Sequence, residues 1–96
     1  MAERNFKKIL KERLAERFPG CYILNNNAND IQGIPDLLVL YHNRWAALEA
    51  KDYESAARQV NQDWYVDDLN KMSFAAFVYP ENMEEILDAM EHAFQH

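Results

Sequence analysis

The sequence predicts an α/β domain with elements in the order α-β-β-β-α-β-α, and three observations predict it. An apolar stripe at helical spacing opens the chain and stops at Pro19-Gly20. A continuous apolar run, Leu37 to Leu40, is followed by a short polar turn and a second strand-like segment. Two further helix-like stretches then enclose Ser73 to Tyr79, a short run with aromatic residues that stops at Pro80.

Each element has a local reason. From Glu3 to Phe18, the residues Phe6, Ile9, Leu10, Leu14 and Phe18 fall on one helical face. Cys21 to Leu24 reads as a first strand, and Asn25 to Gln32 as a polar loop without a helix or strand period. Leu37 to Leu40, with Pro35 just before it, suits a strand buried on both faces. Tyr41-His42-Asn43-Arg44 is the expected hairpin turn and Trp45 to Ala50 the return strand. Ser55 is a plausible N-cap for a helix over Ser55 to Asn70, in which Trp64 is expected to be core. Glu81 to Phe94 is expected to close the fold, burying Met83, Ile86, Leu87, Met90 and Phe94.

The chemistry gathers around the hairpin. Gly33-Ile34-Pro35-Asp36 is followed after twelve residues by Glu49-Ala50-Lys51. Side chains alternate along a strand, so Trp45, Ala47, Glu49 and Lys51 share one face, and the hairpin returns Glu49 and Lys51 to Asp36. Two carboxylates in that arrangement can hold a hard divalent cation such as Mg²⁺ or Mn²⁺. A lysine two residues after the second acid can act on an attacking water. The competing reading is plain turn chemistry at Pro35-Asp36 and a solvated Glu-Lys pair. The conjunction of the strand-start acid, the Glu-x-Lys and a matching hairpin favours the metal site.

These residues resemble the PD-(D/E)-x-K nuclease superfamily, with Pro35-Asp36 and Glu49-Ala50-Lys51 in the places of the motif. The chain is most similar to the small virus-type replication-repair (VRR-Nuc) group and related short phage nucleases. The resemblance runs from about Glu3 to the last helix. It implies a restriction-endonuclease-like core, a mixed central sheet flanked by helices, with a final helix added. It also implies a metal-dependent DNA endonuclease in which Asp36, Glu49 and the Ala50 carbonyl bind Mg²⁺ or Mn²⁺. Lys51 would orient or deprotonate the water, and the products would be a 5′-phosphate and a 3′-hydroxyl. Asp36→Ala or Lys51→Ala is then expected to abolish cutting and spare the fold.

The same resemblance implies a glutamate near the start of the first helix. Glu3, three residues before Phe6 and seven before Leu10, lies on or beside the core stripe, whereas Glu12 and Glu16 lie on the far face. An N-cap or helix-dipole role for Glu3 competes with metal binding. In some relatives an acid directly follows the aromatic residue of this helix; here that place holds Lys7. A glutamine on the helix after the lysine is implied to face the site, with Gln62 the candidate and Gln59 its competitor one turn earlier. Short stand-alone relatives resemble junction resolvases, which implies branched DNA as substrate and a homodimer as the working form.

Composition bounds the rest. A chain of 96 residues is one small domain. The single cysteine, Cys21, allows no intrachain disulfide and points to a reducing, cytoplasmic setting. The charged N-terminus does not read as a signal peptide, and no apolar run is long enough for a membrane span, so no membrane partner is expected. The net charge of −6 runs against the basic footprint usual in a DNA binder. Residues 1–18, however, hold six of the ten Lys and Arg against three acids, and Arg4, Lys8 and Lys11 form a basic stripe at helical spacing. The alternative reading from a different class is a catalytically silent nuclease-fold interaction module or an acidic DNA mimic.

Overall fold

The computed structural model describes residues 3–27 and 30–95. The side chains of Glu3 and Arg4 lie outside the described residues, and so do the metal-ligand role expected of Glu3 and the DNA contact expected of Arg4. The order is α1 (Glu3–Arg17), β1 (Tyr22–Asn25), β2 (Leu37–Tyr41), β3 (Arg44–Ala50), α2 (Gln62–Met72), β4 (Phe74–Val78) and α3 (Met83–Gln95). This is the predicted α-β-β-β-α-β-α sequence of elements.

The four strands form one sheet in the order β1-β2-β3-β4. The first two pairings are antiparallel and β3–β4 is parallel, so the sheet is mixed and α2 is the crossover between its parallel strands. Tyr41 pairs with Arg44, which tightens the predicted four-residue turn to His42-Asn43, with His42 at φ 57°.

Phe6, Leu10, Leu14 and Phe18 of α1 and Leu87 and Met90 of α3 form the main core with Leu37, Val39, Leu48, Ala50 and Val78. On the opposite sheet face Val66 and Leu69 of α2 pack on Ala47, Ala75, Trp45 and Phe77. The two helix layers are unequal, and this corrects one expectation. The β2 strand is not buried on both faces: Leu37 and Val39 are fully covered, whereas Leu38 and Leu40 are only half-buried because α2 spans β3 and β4 alone. Tyr22 and Leu24 on the edge strand stay exposed for the same reason.

A second correction concerns the start of α2. The expected helix from Ser55 begins only at Gln62, because residues 51–61 form an irregular segment that folds back over Lys51. The Ala57 carbonyl accepts from the Lys51 ammonium, so tertiary contact overrides the helix propensity of Ala56-Ala57-Arg58-Gln59. Trp64 is 61% exposed and is not core; with the helix starting later, Val66 and Leu69 are the residues turned to the sheet.

Helices α1 and α3 are clasped at their outer surfaces. Arg13 makes a two-pronged contact with Glu84, at 2.9 and 2.8 Å. Arg17 reaches Asp88 at 2.8 Å and Glu91 at 3.0 Å. The hydrogen bond from Arg13 holds the Glu84 carboxyl below its ordinary range. A depressed carboxyl binds fewer protons folded than unfolded, so its contribution is present above the ordinary glutamate pKa and lost as the pH falls below it. Thermal unfolding followed against pH should therefore show a smaller acid decline in Glu84→Gln than in the parent. An identical decline would show the contact to be energetically silent, a common result for exposed pairs.

Candidate active site

The register of the hairpin builds the site. Leu37 pairs with Leu48, so one step further Asp36 stands opposite Glu49. Glu49 lies on the α2 face of the sheet with Ala47, and both are buried. The two acids are tied through backbone donors. The Asp36 N–H donates to Glu49 Oε1 at 3.1 Å, and the Ala50 N–H donates to Asp36 Oδ1 at 3.1 Å. Both side chains are thereby oriented by the backbone.

The lead-in to Asp36 is also held. Asn26 donates its backbone N–H to the Asp36 carbonyl and its side-chain amide to the Pro35 carbonyl, each at 2.8 Å. Asn26 is thus a latch, which gives one residue of the Asn-rich loop a structural job. Gly33 sits at φ +92°, and a Cβ there would lie 2.7 Å from Cβ of Asn61, the cap residue just before α2. The glycine lets the Pro35-Asp36 strand entry and the start of α2 approach each other, and Gln62 is the next residue along.

Gln62 links the second acid to the lysine. Its side-chain nitrogen donates to Glu49 Oε2 at 3.1 Å, while its oxygen accepts from Lys51 Nζ at 3.0 Å and from the Gln59 N–H at 2.9 Å. Lys51 Nζ also donates to the Ala57 carbonyl at 3.1 Å and lies 3.8 Å from Glu49 Oε2. Only 11% of the Lys51 side chain and 8% of the Glu49 side chain are exposed, so the pair is screened far less than a surface pair. Between the two glutamines weighed in the sequence, the structure puts Gln62 in contact with both partners; Gln59 is exposed and contributes its backbone.

Asp36, Glu49, Ala50, Lys51 and Gln62 therefore come together as their spacing suggests. Glu12 and Glu16 are exposed, as the helical spacing predicts. Lys8 is exposed and Lys11 half-buried, and neither makes an ion pair among the described residues. Sequence reasoning missed the part played by Lys7. Its ammonium lies 2.6 Å from Asp36 Oδ2, with 29% of the Lys7 side chain and 22% of the Asp36 side chain exposed. The signal for it was available: Lys7 stands three before Leu10 and seven before Leu14, on the same helical line as the core stripe.

The donor set fits one hard cation. Among the described residues no group of three or more His, Cys, Asp or Glu side chains converges. Two carboxylates with a backbone carbonyl and water are nevertheless an ordinary set for Mg²⁺, which retains several waters. The Lys7 ammonium on Asp36 Oδ2 marks that oxygen as a place where positive charge is stabilised. No described helix is long and apolar enough to cross a membrane. Comparison of the chain with protein-family models, with curated proteins and with solved structures returned no match.

Proposed function

We propose that the protein is a cytoplasmic Mg²⁺- or Mn²⁺-dependent endodeoxyribonuclease of the PD-(D/E)-x-K type, with a restriction-endonuclease-like core, acting on branched DNA. The observation that carries this reading is the linked set Asp36–Glu49–Gln62–Lys51 at the open end of the hairpin. A largely covered ion pair tied to a second acid and a buried amide is more construction than a solvated Glu-Lys pair needs. Asp36, Glu49 and the Ala50 carbonyl would hold the cation. Bound there, it supplies Lewis-acid polarisation of the phosphate and a lower pKa for the attacking water.

The chain's own groups supply the rest. Lys51 orients the water and offsets negative charge gathering on the phosphate, and Gln62 fixes the Lys51 ammonium relative to Glu49. On α1, Lys11 lies one turn beyond Lys7 and Lys8 lies one turn before Lys11, so these cations continue from Lys7 along the helix surface and can carry phosphate contacts. A four-way junction needs two cuts, which asks for a symmetric pair of chains. The apolar face of α3 is spent in its own core, so a surface open to pairing is the uncovered side of the sheet, with Tyr22 70% and Leu24 45% exposed.

The test is cleavage of labelled four-way junction, flap and linear duplex DNA with Mg²⁺ or Mn²⁺, against chelator and against Lys51→Met. Junction-selective cutting that disappears in chelator and in the variant is the expected result. Tight metal binding with no cleavage of any DNA would move the assignment to a binding module. Absence of DNA binding under all conditions would favour a mimic, for which the charge of −6 is the supporting observation.

A further inference from the structure

We propose that Lys7 sets how tightly this site takes a divalent cation, because its ammonium already occupies the outer oxygen of Asp36. The inference rests on the metal-site reading above and concerns a residue that the motif itself does not contain. Lys7 Nζ lies 2.6 Å from Asp36 Oδ2, the oxygen of that carboxylate left over when Oδ1 accepts the Ala50 N–H. A cation that takes this oxygen must displace the ammonium or share the oxygen with it.

The lysine can yield the oxygen, but it cannot leave the neighbourhood. Its own helix is fixed by Phe6, 1% exposed, immediately before it and by Leu10, fully buried, three residues after it. The backbone therefore stays put, and only the side chain can swing outward. Whether it swings or stays, a positive charge remains within side-chain reach of the bound ion and weakens its binding. Lys51 has a different part. It is held by the Gln62 side chain and the Ala57 carbonyl, on the Glu49 side of the site. One ammonium is fixed at the inner acid and the other guards the outer one.

Lys7 is thus a positioning and affinity-setting residue. It pairs with Asp36 Oδ2 and so helps to fix that carboxylate, and it makes the affinity weaker than two carboxylates alone would give. A site so arranged loads at high cation concentration and empties when the concentration drops.

The experiment is Mn²⁺ binding without DNA, read from the electron paramagnetic resonance signal of unbound Mn²⁺, for the parent, Lys7→Met and Lys7→Arg. Methionine keeps the length and loses the charge, so roughly tenfold tighter binding is expected. Arginine keeps the charge, so its affinity should stay near the parent's. Circular dichroism on the same samples checks that all three are folded. Parent and Lys7→Met binding Mn²⁺ equally, or Lys7→Met binding more weakly, would overturn the role of Lys7 and leave the metal site standing. Failure of all three folded proteins to bind Mn²⁺ at millimolar concentration would overturn the metal-site reading itself, and this inference with it.

Discussion

Asp36→Asn is expected to lose metal-dependent cleavage by roughly a thousandfold or more while its unfolding transition stays close to the parent's. Asparagine keeps an oxygen that can accept the Ala50 N–H, but it removes the charge that a divalent cation needs. Asp36→Ala should behave differently, and here the geometry changes what the sequence leads one to expect. Alanine removes the acceptor as well, leaving the N–H of fully buried Ala50 without a partner. That costs about 1–3 kcal/mol, so the alanine variant is predicted to be both inactive and destabilised. Cleavage assays paired with urea unfolding of the two variants separate the charge from the hydrogen bond. An Asp36→Asn protein that cuts as well as the parent would refute the site.

The largest effect on stability is expected at a residue without a side chain, in Gly33→Ala. A side chain at φ +92° is strained, and its Cβ would meet Asn61 Cβ at 2.7 Å and the Asn61 carbonyl carbon at 3.1 Å. The backbone strain costs about 1–2 kcal/mol and the overlap adds about 1–3 kcal/mol. Gly20→Ala provides the control, since Gly20 has φ +88° with nothing within 4 Å of a new Cβ. Both variants carry the strain and only Gly33→Ala carries the collision, so urea unfolding should place it clearly below Gly20→Ala. Relief of the overlap requires the strand entry and α2 to separate, which would pull Gln62 from Glu49 and Lys51. Equal stability of the two variants would mean that the close approach to Asn61 has no energetic weight.

The parts of this molecule legible in its sequence are those written in short-range patterns. The helical spacing of Phe6, Leu10, Leu14 and Phe18 located α1, and strand alternation with a hairpin put Asp36 opposite Glu49. What the sequence left hidden depends on which element covers which. The segment Ser55 to Asn61 has helix-forming residues, yet its backbone is engaged in holding Lys51, a demand imposed from a different strand. Trp64 looks like core until the helix start shifts and turns Val66 and Leu69 inward. Half-coverage of the α2 face likewise follows from one helix having to span four strands, and no pattern within Leu37 to Leu40 records it. Lys7 is the intermediate case: its helical position was readable, but the partner it finds belongs to a loop-strand junction 29 residues away.

The pairing of Lys7 with Asp36 and of Lys51 with Glu49 has an electrical consequence. Two ammonium groups and two carboxylates sum to zero, set in a protein whose overall charge is −6. In that state the cluster gives a polyanion nothing to be drawn to. A divalent ion added to it leaves a local surplus of two positive charges, at the place where the proposed reading seats a phosphodiester. On the proposed reading, cation and nucleic acid are therefore linked ligands. Each raises the affinity for the other by the same factor, as thermodynamic reciprocity requires. The cation would thus add its own attraction to whatever hold Lys8 and Lys11 give on DNA, and would bring the chemistry with it.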